Sequence, residues 1–168
     1  MSDPEPWLLG TLKDIPAVPR AVLHALELAR QDLRHWCGAL TEDELNTRPA
    51  GLPSVAFQIR HITGSIDRLL TYAEGNSLSD DQMKRLKAEL NQHFRAEDLF
   101  AELESGLLQA AQRIRALGPA MLEESRTVGR SELPTTLGGL LVHIADHTQR
   151  HVGQAITTAK VLRSPCQE

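Results

Sequence analysis

Residues 135–162 read TTLGGLLVHIADHTQRHVGQAITTAKVL. Leu137, Leu140, Leu141, Ile144, Val152, Ala155 and Ala159 recur at the three- and four-residue intervals that gather on one side of an α-helix. No proline interrupts the stretch, so the spacing predicts a helix from about Thr135 to about Leu162. On one shoulder of its apolar stripe stand His143, His147 and His151, with Gln154 continuing the line. Four residues advance a helix by about 400°, which leaves successive imidazoles one above the other and about 40° apart. Two imidazoles so placed can each turn a nitrogen toward one ion about 2.0–2.1 Å away. His151 lies nearest the centre of the stripe and His143 furthest from it.

The same rhythm extends toward the N-terminus. After Pro19, the residues Val22, Leu26, Ala29, Leu33, Trp36, Cys37 and Leu40 mark the inward side of a first helix ending near Gly38. His24 and His35 project to its opposite, solvent-facing side. Thr41-Glu42-Asp43-Glu44 has the form of a capping box opening a short turn, and Arg48 to Pro53 reads as a linker. Ser54 is the expected N-cap of a second long helix that stops at Gly75-Asn76. Its stripe is Val55, Ile59, Ile62, Ile66, Leu69, Leu70 and Ala73. Ser79 to His93 is polar and holds at most a short helix around Gln82–Leu90. A third long helix fits Ala96–Leu117, with Leu99, Leu103, Leu107, Ala110 and Ile114 inward and Gly118-Pro119 closing it; residues 120–134 read as loop. With no alternating strand pattern, the chain is predicted to be all-α, a single-domain four-helix bundle spanning 1–168 with peripheral ends. The connection between its second and third helices is longer than an up-down bundle needs and is expected to fold against it.

A metal site inside such a bundle needs a ligand from a facing helix, and His61 is the candidate. It lies on the shoulder of its own stripe, beside Phe57 and Tyr72, and Gln58, Ser65 and Arg68 extend a polar row there. His61, His147 and His151 together would supply three neutral nitrogens and leave a fourth position open to water or substrate, as catalytic zinc sites do. The competing reading makes each a hydrogen-bonded shoulder residue with no ion. His143 is expected at the pocket mouth or in solvent rather than as a ligand, and His93 at the surface. Cys37 falls on the buried side of its helix as a small core residue; Cys166 lies on an exposed tail.

Composition and missing motifs narrow the field. The formal net charge is -4 and the pI near 6.0, which argues against a general nucleic-acid binder. Two cysteines far apart form neither a zinc knuckle nor a disulfide framework. The acidic, Pro-rich opening Met1–Pro6 predicts no signal peptide, and no apolar run approaches the roughly 18 residues of a membrane span. A protein of a reducing compartment, cytoplasmic and without membrane or nucleic-acid partners, is expected. No Glu-x-x-His, His-Glu-x-x-His, P-loop, G-x-G-x-x-G or G-x-S-x-G occurs, so di-iron bundles, zincin peptidases, nucleotide binders and nucleophile-elbow hydrolases lose their sequence case.

Ser54-Val55-Ala56-Phe57-Gln58-Ile59-Arg60-His61-Ile62 resembles the start of the second helix in the DinB/YfiT-like superfamily, where a histidine follows a seven-residue lead-in from serine. Leu40 to Leu45 and Arg48-Pro49 resemble the family's connection between helices one and two. Leu140 to Gln154 resembles its closing signature, a His-x-x-x-His pair followed by Gly-Gln. The resemblance spans about residues 40 to 160. It implies a four-helix bundle of DinB type holding one divalent metal, commonly zinc or nickel, with iron or manganese as alternatives. The ligands it implies here are His61, His147 and His151. Family activities include S-transfer with low-molecular-weight thiols such as bacillithiol or mycothiol and mycothiol-dependent isomerisation. Many members are labelled metal-dependent hydrolases, and dimers are frequent, which leaves a homodimer open. Val152 stands where many members carry arginine before Gly-Gln.

Three functions stay in play, the last a plain helical interaction protein in which the histidines are incidental and no stoichiometric metal is expected. One is a metal-dependent enzyme acting on a small molecule or thiol, in which the ion lowers the pKa of a bound water or thiol; Gln58, Ser65 or Gln154 would position the substrate. Another is a metal-stabilised binding or stress-response module without turnover. No spacing forces a carboxylate into the histidine rows, since Asp67 and Asp146 project away from them. Imidazole must be deprotonated to bind metal, so affinity is expected to drop below about pH 6.

Overall fold

A computed structural model describes residues 4–89, 93–117 and 122–164. The sequence punctuation is visible at the helix starts. α1 (Ala17–Cys37) begins after Pro16, and α2 (Glu42–Asn46) opens on the expected capping box: Glu44 N–H donates to Thr41 Oγ1 (3.2 Å) and Thr41 N–H to Glu44 Oε2 (2.7 Å). Ser54 caps α3 (Val55–Ala73), its Oγ accepting from Phe57 N–H at 3.2 Å. α4 (Asp80–Ala88) carries a second capping box between Ser79 and Gln82 and starts two residues earlier than the polar sequence indicates. α5 (Ala96–Ala116) and α6 (Leu137–Arg163) complete the helices.

The apolar stripes decide the packing. α6 lies against both α3 and α1, and α5 packs on α3 and α1 in turn. Ile59, Ile62 and Leu70 of α3, Leu33 of α1, Leu99 and Leu103 of α5, and Leu141 and Ile144 of α6 are all buried between them. Gln149 adds a polar tie, donating from Nε2 to the Ala25 carbonyl at 2.8 Å, which pins the middle of α6 to α1.

Three expectations fail. Part of the 120–134 segment read as loop is a β-hairpin, β1 (Ser125–Val128) paired antiparallel with β2 (Leu133–Thr136), Ser125 opposite Thr136 and Val128 opposite Leu133. Thr127, Val128, Thr135 and Thr136 favour extended backbone, but β2 holds only four residues and runs straight into a helix, too little for an alternating pattern to register. Gly129 at φ +74° makes the turn. Trp36, expected inward, is 38% exposed: Leu33 and Cys37, four apart, fill the seam, and the indole lies on the flank with Lys160 Nζ 4.2 Å from its ring centre. His24, expected in solvent, is buried, because the segment before α1 folds back over it and brings Thr11 Oγ1 to 3.1 Å from its Nε2. The periodicity of α1 alone could not report that cover. His35 and His93 are exposed as expected. Gly118-Pro119 and Cys166 lie outside the described residues.

Burial sets the expected cost of truncation. Leu141→Ala, at a fully buried position, should lower the free energy of unfolding by about 2–5 kcal/mol in urea titration. Leu133→Ala, at a side chain 62% exposed, should change it by no more than about 0.5 kcal/mol.

Candidate metal centre

The seam between α3 and α6 brings the three singled-out histidines together. His61 comes from α3, His147 and His151 from successive turns of α6, and one nitrogen of each lies within 4.8 Å of the others. The ring centres of His61 and His147 each stand 4.5 Å from that of His151. His61 Nε2 and His147 Nε2 are 3.1 Å apart. Phe57 stacks on the outer side of His61, with ring centres 5.5 Å apart and planes 18° from parallel. His143 stays outside the group. Its side chain is 48% exposed, and its ring centre lies 5.3 Å from that of His147.

Two of the three imidazoles are gripped from behind. His61 Nδ1 donates to Glu89 Oε2 at 2.8 Å, and His151 Nδ1 donates to Gln58 Oε1 at 2.6 Å. An ionised carboxylate can only accept, so Nδ1 of His61 carries a proton, and in the neutral imidazole the Nε2 lone pair faces the other histidines. Glu89 is in turn held by Arg68, whose Nη1 donates to Oε1 at 2.6 Å. Gln58, Arg68 and Glu89 are all buried. Gly64 makes the room: a Cβ there would stand 2.5 Å from Glu89 Oε1 and 2.8 Å from Arg68 Nη1.

This donor set suits a divalent ion. Two nitrogens held 2.0–2.1 Å from one ion stand about 2.9 Å apart at a right angle and about 3.3 Å apart at the tetrahedral angle. The observed 3.1 Å falls between these values. The electrostatics point the same way. Burial pushes the His147 pKa from 6.5 down to about 4, and neighbouring His151, His61, His143 and Arg150 push in the same direction. Burial also lowers the pKa of His151, assisted by His61 and Arg150. His147 is therefore neutral and ready to ligate well below pH 6, so its competition with protons moves to more acid pH than the unperturbed imidazole value suggests. Burial works to raise the Glu89 pKa, but hydrogen bonds from His61 and Arg68 outweigh it and hold the carboxyl below its usual range.

The polar row read along α3 is confirmed: Gln58, Ser65 and Arg68 are buried. Asp67 turns away from the histidines as its spacing indicates, bonding Arg113 at 2.7 Å, whereas Asp146 bonds Arg150 at 2.8 Å and stands 3.9 Å from Nδ1 of His143, outside the group of three. Sequence reasoning missed Glu89, which reaches the group from the end of α4. The Ser79-x-x-Gln82 box was the available signal for where α4 begins, but nothing in the sequence tells which of its polar residues turns inward.

With the geometry in place, the family follows. The sequence matches the DinB superfamily over residues 25–155, and the chain belongs to that family. No curated protein and no solved structure matches it. Among the described residues, no helix is long and apolar enough to cross a membrane.

The low His147 pKa has a thermodynamic consequence. Between about pH 6.5 and 4 the unfolded chain takes up a proton at this residue that the folded protein refuses, so stability rises with pH across that window and is lost as pH falls. The melting temperature of the metal-free protein should drop on acidification from about pH 7 to 4.5. His147→Gln should reduce the drop; equal drops in both proteins would show that another group is responsible.

Proposed function

We propose that this DinB-superfamily chain binds one divalent metal ion, zinc or nickel in preference to iron or manganese, through His61, His147 and His151. The observation that carries this reading is the convergence of three imidazole nitrogens from two helices, all within 4.8 Å of one another. Its setting is a single four-helix bundle of α1, α3, α5 and α6, with α4 in the long connection between the second and third of these. We place it in the cytoplasm, with a small molecule or thiol rather than nucleic acid or a membrane as its partner, and the family's frequent dimers leave a homodimer open.

Three neutral ligands leave the charge of the ion uncompensated, so an anionic or readily ionised molecule suits the open position. When bound, such an ion lowers the pKa of a water or thiol, which is the chemistry of a thiol S-transferase or a small-molecule hydrolase. The chain's own contribution is orientation. Glu89 and Gln58 fix which nitrogen of His61 and His151 faces the centre, and Phe57 shields one side of the His61 ring. A low-molecular-weight thiol or another small molecule is the proposed substrate.

One observation favours a second reading, a metal-stabilised module without turnover. Glu89, the carboxylate at the histidines among the described residues, is committed to His61 and Arg68 and so is not free to act as a general base.

Metal analysis by mass spectrometry on protein purified without a metal-affinity tag tests the site. About one ion per chain, lost in His147→Ala, is the expected result, with zinc raising the melting temperature of the wild type and not of the variant. No bound ion and no zinc-dependent gain would overturn it. Thiol-transfer and hydrolysis assays on the loaded protein then separate the two readings.

A further inference from the structure

α4 has an unusual attachment. None of its nine residues, Asp80–Ala88, is buried, and across 80–89 the buried residue is a carboxylate, Glu89. Toward its start, Gln82 Nε2 donates to Asp67 Oδ2 and Thr71 Oγ1, each at 2.8 Å. At its end, Glu89 divides its two oxygens between Arg68 and His61. The element therefore docks on α3 through polar contacts toward both ends, with Met83 and Leu86 only half-buried between them.

Buried ion pairs contribute little net stability, because desolvation of both charges offsets their attraction. The Glu89–Arg68 pair alone is thus a weak anchor. The other Glu89 contact is different in kind, since it ends on the back of an imidazole whose Nε2 faces the histidine cluster. A cation drawing on that lone pair makes the Nδ1–H a stronger donor, and the carboxylate behind it makes the imidazole a better ligand. Each event favours the other.

We infer that Glu89 is a positioning residue that couples metal occupancy at His61 to the docking of α4 on α3. The inference rests on the reading of His61 as a metal ligand. Coupling of this sort is reciprocal: whatever factor docking adds to metal affinity, the metal adds to docking. Gly64 belongs to the same device, because a side chain there would occupy the position of the Glu89 and Arg68 head groups.

The test measures zinc affinity by competition with a chromophoric chelator, and backbone hydrogen exchange over residues 80–89 with and without zinc. The proteins are wild type, Glu89→Ala, Glu89→Gln and, as control, Glu104→Ala, whose carboxylate pairs with Arg34 away from the site. Glu89→Ala should weaken zinc binding by about 10–100-fold, the usual effect of removing an outer partner of a ligating histidine. Glu89→Gln should lose less, because its amide oxygen still accepts from Nδ1–H. Glu104→Ala should bind as wild type. Zinc should slow exchange over 80–89 in the wild type and leave it unchanged in Glu89→Ala. If Glu89→Ala does not fold by far-UV circular dichroism, Glu89→Gln carries the comparison. Wild-type affinity in the Glu89 variants, or equal zinc protection of α4 with and without the carboxylate, would overturn the coupling while leaving the metal site intact. Failure of the wild type itself to bind zinc would overturn the metal reading, and the coupling with it.

Discussion

A neutral imidazole has one lone pair and one N–H, and whatever holds the N–H decides where the lone pair points. That constraint organises the centre of this protein. Glu89 and Gln58 take the Nδ1 protons of His61 and His151, so the Nε2 atoms of both are free to face inward. The two holding residues come from different elements, Gln58 from α3 and Glu89 from the end of α4. The cluster is therefore fixed by side-chain hydrogen bonding as well as by helix packing. Without those acceptors, the same three rings on the same two helices could turn either nitrogen toward the centre.

The charge arrangement around the site fits this division of labour. The chain carries more acidic than basic residues, yet many of its carboxylates are occupied elsewhere. Asp67 and Glu74 share Arg113, Glu102 pairs with Arg60 and Glu104 with Arg34. Glu89 reaches the histidines as an oriented, ionised acceptor, its other oxygen neutralised by Arg68. The first ring of donors is thus neutral, and the Glu89–Arg68 pair behind it sums to zero charge.

The parts legible in the sequence were those written locally. Helical stripes, the Thr41 and Ser54 caps, the His147–His151 spacing and the polar row on α3 all follow from intervals of three and four residues. Pairing His61 with the α6 histidines needed one further step, the expectation that two shoulder rows would meet across a helix seam. What escaped depended on cover from outside the helix being read, or on competition between neighbours within it. His24 is buried by a segment that folds back over it, Trp36 is displaced by better-placed neighbours, and Glu89 turns inward at the end of a helix none of whose residues is buried. The hairpin escaped because each strand is four residues long and the second passes directly into α6.

That direct passage has its own consequence. Thr136 is at once the last residue of β2 and the N-cap of α6, its Oγ1 accepting from Gly139 N–H at 3.0 Å. The next two amides are also committed, Leu137 N–H to the Glu124 carbonyl at 2.9 Å and Gly138 N–H to that of Leu122 at 2.7 Å. Arg126 ties the same hairpin to the end of α3 through the Ala73 carbonyl at 2.7 Å. The rotational phase of α6 is in this way referenced to α3 at its first turn, well before the chain reaches the histidines. One residue gained or lost between Thr136 and His147 would turn the imidazoles by about 100° and slide them about 1.5 Å along the axis. The hairpin acts as an angular datum for the site, and its exposed turn residues Arg130 and Ser131 are far freer to vary than the count of residues that follows them.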